Sequence, residues 1–260
     1  MHYRAGAALA ALIAGLAVGL SNPSAAQTPT DWATVKGQVV YDGNPPERKK
    51  LDVNKDQGHC LAKGPLLSEE WVVNKDDKGV QWTFVWLMPM DTDPKIKMPI
   101  HPALAQIKNK DVSIDQPQCQ FVPHALALRQ GQNLVAKNSS PVAHNVNWTG
   151  GLKNPGGNVI VPSKNSHTIT GLVADRFPVT ITCNIHPWMK AYARVYDHPY
   201  FAVTDDHGKF EIKDAPVGQY RLVVWHEAIG FLGGAAGRNG QPIEIKKGGT
   251  NLDPIKIKAQ

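Results

Sequence analysis

Four side chains that suit a transition metal are the most informative feature of the sequence. Cys183, His186 and Met189 lie on one short segment, with two residues between each neighbouring pair. Another imidazole, His144, lies upstream. A thiolate, two imidazoles and a distant thioether form the ligand set of copper sites that transfer single electrons. Sulfur suits Cu(I) and imidazole suits Cu(II), so this set can hold copper in both oxidation states.

Three other interpretations use some of the same side chains. A zinc site is one, but methionine is a poor zinc ligand and structural zinc sites favour more thiolates. A catalytic cysteine–histidine pair is another, although such cysteines usually draw on a separate orienting side chain. The third is a structural cysteine beside a surface histidine. The joint presence of all four side chains favours copper, and we expect no enzyme activity.

Alternating apolar residues indicate that strands position these side chains. Period-two alternation recurs along the chain, whereas helical periodicity is almost absent. Many short strands separated by turns predict an all-β chain built of β-sandwiches. Strands are predicted for residues 35–41, 82–88, 179–183 and 191–196, the last two flanking the segment Cys183–Met189. Residues 126–128 and 134–137 are predicted to form a hairpin around Gly131.

Residues 114–196 resemble the cupredoxin family, most closely its amicyanin and pseudoazurin members. The resemblance is carried by Phe121-Val122-Pro123, the Gly131 turn, Asn138, His144-Asn145-Val146, Val179 to Cys183, and His186-Pro187-Trp188-Met189. It implies a Greek-key sandwich that holds one type 1 (blue) copper ion through His144, Cys183, His186 and Met189.

The same resemblance assigns roles to residues around the ligands. It implies that Asn138 and Asn145 lie beside the ligands and fix them. It also implies that the ring edge of His186 is exposed in an apolar patch formed with Pro187 and Trp188, where a redox partner docks.

The two ends of the chain resemble another β-sandwich family, the carboxypeptidase regulatory-like (transthyretin-like) domains. Val35 to Gly43 resembles the opening strand of that family, and Thr204 to Leu222 resembles its later hairpin. We therefore expect this domain to be split, with residues 27–113 and 197–260 flanking an inserted copper domain at 114–196. Consecutive domains after an unrelated N-terminal segment are the alternative.

Two further cysteines are predicted to form a disulfide. An exported chain with three cysteines suggests one disulfide and one thiol with another role. A bond between Cys60 and Cys119 is expected to stabilise the fold by about 3–4 kcal/mol. An alternative places His59, Cys60, Cys119 and His124 around a second metal ion. A separate Cu(I)-binding patch of Met88, Met90, Met98 and His101 also stays open.

The N-terminus and the composition limit the possible cellular locations and binding partners of the protein. Residues 1–26 have the basic start, apolar run and small-residue end of a secretory signal peptide, so a periplasmic or secreted protein is expected. The chain is 42% apolar and 19% charged, which excludes a disordered protein. Its net charge of +6 comes from scattered residues, so no nucleic-acid binding is predicted. No other segment is long and apolar enough to span a membrane after signal cleavage.

The leading hypothesis is an exported copper protein that carries single electrons. Its partner would be another redox protein, such as a c-type cytochrome or a periplasmic dehydrogenase. Copper storage, delivery or sensing without electron transfer is the first alternative. A cell-surface interaction module is the second.

Overall fold

The computed structural model describes residues 1–2 and 31–259. The predicted signal peptide, residues 1–26, therefore lies almost entirely outside the described residues. Strands dominate the described part of the chain, as predicted for an all-β protein. None of its helices has the length and apolar character needed to cross a membrane.

The described elements follow the chain in this order. The first half contains β1 (Trp32–Tyr41), α1 (Gln57–Cys60), β2 (Phe84–Pro89), a 3₁₀ turn (Pro102–Leu104), β3 (Asp111–Ile114), β4 (Ala125–Arg129), β5 (Asn133–Asn138), β6 (His144–Trp148) and β7 (Gly157–Val161). The second half contains β8 (Asn165–Ile169), β9 (Val179–Thr182), β10 (Lys190–Tyr196), β11 (Phe201–Val203), β12 (Lys209–Pro216), β13 (Gly218–His226), β14 (Gly230–Phe231), α2 (Gly234–Gly237), β15 (Gln241–Ile245), β16 (Thr250–Asn251) and β17 (Ile255–Ile257).

These strands form four sheets within the described residues. The first sheet has the order β12-β1-β16, with β17 also paired to β1, and the second has the order β11-β2-β13-β14, with β15 paired to β13. The third sheet runs β4-β10-β9-β6-β7 and the fourth runs β3-β5-β8. Strands from both ends of the chain build the first two sheets, whereas β3 to β10 build the other two. The domain boundaries at 114 and 196 stay a prediction.

The second and third sheets are joined by an aromatic layer. Along β2, Val85 and Leu87 enter the core between the first and second sheets. The alternate residues Phe84 and Trp86 face the opposite way and pack with Tyr192 of the third sheet. Strand β2 is therefore buried on both faces, and each large apolar side chain stabilises the stack by roughly 1.5–3 kcal/mol.

The predicted hairpin around Gly131 is wrong. Strand β4 pairs with β10 in the third sheet, whereas β5 lies between β3 and β8 in the fourth. Leu128 and Leu134 are both buried in the core between these two sheets. The turn crosses from one sheet to the other because both strands can then cover the same core. The expected hairpin over Thr204 to Leu222 is wrong as well. Strand β12 belongs to the first sheet and β13 to the second, so the two strands do not pair.

Candidate metal centre

The loop between β9 and β10 carries three of the four predicted ligands. Antiparallel pairing of Thr182 with Lys190 brings the two ends of this loop together. The Met189 amide donates a hydrogen bond to the His186 carbonyl at 2.9 Å, and the Cys183 amide donates to the Met189 carbonyl at 3.4 Å. Cys183 and Met189 are each only 1% exposed. The spacing in the sequence therefore produces a tight loop with both sulfurs in the core.

Asn145 ties this loop to strand β6. Its side-chain oxygen accepts hydrogen bonds from the backbone amides of Asn184 at 2.7 Å and Ile185 at 3.1 Å. The same oxygen lies 3.3 Å from Cys183 Sγ. Because His144 precedes Asn145 on β6, this contact also fixes the fourth ligand relative to the loop.

Asn138 holds the turn that leads into His144. Its side-chain nitrogen donates to the carbonyls of Val142 and Val161, both at 2.8 Å. Its side-chain oxygen accepts from the Ser140 amide at 3.0 Å. The asparagine is itself buried. It supplies hydrogen bonds that this turn cannot obtain from a neighbouring strand.

Three donor atoms converge on one point. His144 Nδ1 lies 2.9 Å from His186 Nδ1, and Cys183 Sγ lies 3.9 Å from the first and 3.8 Å from the second. A circle through three atoms with these separations has a radius of about 2.1 Å. Metal bonds to imidazole nitrogen and thiolate sulfur measure about 2.0–2.3 Å. The residues present therefore fit a single transition-metal ion, with Met189 buried in the same core.

The two imidazoles are held in the form that binds metal. Burial, followed by the neighbouring His186, lowers the pKa of His144 to about 4. Burial also lowers the pKa of His186, although Asp56 opposes this shift. Both rings are therefore neutral at neutral pH, and a neutral ring has the free lone pair that a metal ion requires.

The expected exposure of the His186 ring edge is wrong. His186 is 0% exposed, and its Nε2 lies 2.8 Å from Asp56 Oδ2. Trp188 packs edge-on against the imidazole, with ring centres 5.1 Å apart. The Trp188 indole nitrogen also donates to the Cys119 carbonyl at 3.0 Å. Pro187 is exposed, but it lies beside a ligand that is covered.

Residues 51–67 form the segment that covers His186, and we call them the covering loop. The Leu51 amide donates to the Leu66 carbonyl at 2.9 Å, so the base of the loop is closed. Val53 and Leu66 are buried in the core between the third and fourth sheets, which hold the candidate ligands and which we call the metal-binding sheets. The predicted disulfide between Cys60 and Cys119 is present and anchors the loop to those sheets. Its two sulfurs and a ring nitrogen of His186 lie within 4.8 Å of one another.

This disulfide removes one of the alternatives. Cys60 and Cys119 are bonded to each other, so they do not form a second metal site with His59 and His124.

Nothing in the sequence indicated that Asp56 would reach His186, because the two residues are separated by 130 positions. The disulfide expected between Cys60 and Cys119 indicated only that the segment around Cys60 lies near the metal-binding sheets, not that Asp56 contacts His186.

Comparison with known proteins finds similarity at the level of solved structures. No family profile matches the chain, and no curated protein is similar to it in sequence. A Cu(I) form of an amicyanin variant is 17% identical, with 36% of this chain and 89% of that chain covered and a TM-score of 0.30. A copper-containing nitrite reductase from Thermus scotoductus is 20% identical over 39% of this chain and 28% of that chain, with a TM-score of 0.32. A purple cupredoxin from Nitrosopumilus maritimus is 16% identical over 33% of this chain and 100% of that chain, with a TM-score of 0.29.

His124 belongs to a buried ionic cluster beside the metal-binding sheets. Its Nε2 contacts a carboxylate oxygen of Glu227, and its Nδ1 lies 3.5 Å from Glu69 Oε2. Lys190 Nζ lies 3.1 Å from the other oxygen of Glu227. Burial alone would lower the pKa of His124, but the hydrogen bond with Glu227 and the nearby carboxylate of Glu69 outweigh it and raise the pKa to about 9. Burial would raise the pKa of Glu227, but His124 and Lys190 hold it at about 2.

We predict that this cluster makes stability depend on pH at both extremes. The His124 contribution is complete below its ordinary pKa near 6.5 and is lost as the pH rises through about 9. The Glu227 contribution is complete above its ordinary pKa of 4.5 and is lost as the pH falls through about 2. Replacing Glu227 by Gln is expected to cost about 3 kcal/mol at pH 7, because it removes the closest carboxylate from the buried His124.

Urea unfolding across this pH range measures the effect. The matched control is Glu70→Gln, which removes the same charge from an exposed neighbour of Glu69. We expect the control to follow the wild type within about 0.5 kcal/mol. An unchanged pH profile in Glu227→Gln would show that the cluster does not stabilise the fold.

The methionine-rich alternative is only partly assembled. Met88 and Met98 line one cavity, whereas Met90 is exposed. The Nδ1 of His101 accepts a hydrogen bond from the Ala103 amide at 3.1 Å, and the ring packs against Trp32. A Cu(I) patch made of all four predicted residues stays a prediction.

Proposed function

We propose that the chain is an exported protein, periplasmic or secreted, that binds one type 1 copper ion and carries single electrons between redox proteins. The observation that supports this most is the convergence of His144 Nδ1, Cys183 Sγ and His186 Nδ1 on one buried point. Met189 would add a soft thioether donor, which distinguishes this set from a zinc site. We propose no enzymatic reaction, and a c-type cytochrome or a periplasmic dehydrogenase is the kind of partner we expect.

Each residue of the site has a part in this proposal. Copper, when bound, supplies the change between Cu(II) and Cu(I). His144, Cys183, His186 and Met189 would hold it, and their burial excludes water as a further ligand. Asn145 fixes the ligand loop through the amides of residues 184 and 185, so the site would change shape little when the copper ion changes its oxidation state.

Copper loading of the purified protein tests the proposal. We expect one copper per chain and an intense visible absorption in the Cu(II) form, which a reductant removes and reoxidation restores. Zinc-loaded protein is the matched colourless control. A protein that remains colourless with Cu(II), or that binds several Cu(I) ions and no Cu(II), would overturn the proposal.

The covered His186 favours a second candidate function. An electron carrier benefits from a ligand edge that a partner can approach, and here Asp56 and the covering loop occupy that edge. A protein that stores or delivers copper does not need such an edge. Mixing the Cu(II) protein with a reduced c-type cytochrome separates the two. Rapid oxidation of the cytochrome supports the carrier, whereas slow oxidation with copper transfer to a chelator supports storage.

A further inference from the structure

The two nitrogens of the His186 ring face different groups. Nδ1 points to the shared point among the donor atoms, 2.9 Å from His144 Nδ1. Nε2 lies 2.8 Å from the carboxylate of Asp56, which belongs to the covering loop. Because Nε2 must carry the proton when Nδ1 binds metal, this hydrogen bond selects the tautomer that the site requires.

Asp56 is held in place by the backbone and by covalent structure. It has φ 48° and ψ 34°, a left-handed conformation that aspartate tolerates better than most residues. It directly precedes α1, whose last residue is Cys60. The disulfide to Cys119 fixes that helix against the metal-binding sheets. The carboxylate is 35% exposed, so it keeps contact with solvent while its inner oxygen meets the imidazole.

We propose that Asp56 is a positioning residue for the metal ligand His186. The carboxylate of the covering loop and the imidazole of the ligand loop would then form a carboxylate–histidine–copper arrangement. This inference rests on the proposed copper site. Ligand histidines commonly donate their second ring N–H to a carboxylate, which orients the ring and makes it a stronger ligand. A stronger ligand with a negative neighbour stabilises Cu(II) relative to Cu(I), so Asp56 lowers the reduction potential of the site.

The structure distinguishes this role from an ordinary surface ion pair. Exposed pairs contribute little, because both partners remain hydrated. The imidazole of His186 is completely buried, so the carboxylate is the partner that replaces water at Nε2. Removing it leaves a buried N–H without an acceptor and a ligand ring without its orientation.

Two variants at Asp56 and one matched control test the proposal. Asp56→Asn removes the charge and keeps an acceptor, whereas Asp56→Gly removes the side chain and suits the left-handed backbone. Asp52→Asn removes one charge from an exposed position of the same covering loop. The measurements are the Cu(II) dissociation constant, the reduction potential and the unfolding of the copper-free protein.

We expect the Cu(II) dissociation constant to rise about 10-fold or more in Asp56→Gly and by a smaller factor in Asp56→Asn. The reduction potential should rise in both Asp56 variants. In Asp52→Asn, the Cu(II) dissociation constant should stay within about twofold of the wild-type value. Equal shifts in Asp56→Asn and Asp52→Asn, or changes confined to the stability of the copper-free protein, would overturn the positioning role alone. A wild-type protein that gains no thiolate absorption with Cu(II) would overturn the proposed function, and this inference would fail with it.

Discussion

Replacing Cys183 by Ser is expected to abolish the visible absorption of the Cu(II) protein completely. The intense colour of such sites requires a thiolate ligand, and Cys183 is the one free cysteine among the described residues. Serine nearly matches the volume of cysteine, and its hydroxyl can donate to Asn145 Oδ1, which lies 3.3 Å from the present sulfur. The fold should therefore survive while the copper ligand is lost. Visible spectra and metal analysis after Cu(II) loading measure the result.

A double variant, Cys60→Ala with Cys119→Ala, is the control for this experiment. It removes two sulfurs close to His186 but leaves Cys183 in place. We expect it to retain an intense band, because the thiolate ligand is unchanged. A band that persists in Cys183→Ser would show that the colour does not arise from this cysteine and would contradict the assigned ligand set.

Loss of the disulfide should produce the largest change in stability. The bond between Cys60 and Cys119 joins residues 59 positions apart, and constraining a loop of that length stabilises a protein by about 3–4 kcal/mol. The double alanine variant should lose this amount of unfolding free energy. Its covering loop should also exchange amide hydrogens faster, because the helix that ends at Cys60 loses its anchor. Urea unfolding and hydrogen exchange measure these two effects.

Reduced wild-type protein is the matched control for the missing bond. It keeps both cysteine side chains, which are fully buried, and lacks only the covalent link. Similar losses in the reduced protein and in the double variant would assign the effect to the cross-link. A loss below about 1 kcal/mol in both would show that packing of Val53 and Leu66, not the disulfide, holds the covering loop.

The sequence predicted the parts of the site that depend on local spacing. Cys183, His186 and Met189 come together because a short loop between two paired strands leaves them little freedom. Period-two alternation predicted strands such as β2, β9 and β10, since side chains of a strand alternate between its faces. The disulfide followed from the number of cysteines in a chain predicted to be exported, which left a third cysteine for another role.

The features that sequence reasoning missed depend on contacts between distant segments. The turn at Gly131 looks the same whether it closes a hairpin or crosses between two sheets, so the pairing of β4 and β5 was mispredicted. Asp56 covers His186 only because the covering loop folds over the third and fourth sheets. No local pattern reports such an approach, which is decided by how the sheets stack.

The pairing of β1 has a consequence for the order in which the protein folds. Val35 pairs with Ile212 and Val39 pairs with Ile255, so the first strand finds its partners only near the end of the chain. Strands β3 to β10 instead pair among themselves, within residues 111–196. Contacts between such distant residues slow folding, and strands without partners promote aggregation. A nascent chain can therefore complete its metal-binding sheets while β1 still lacks its partners. Pairing of β12, β16 and β17 with β1 is then the folding step that removes the exposed strand edge and its tendency to aggregate.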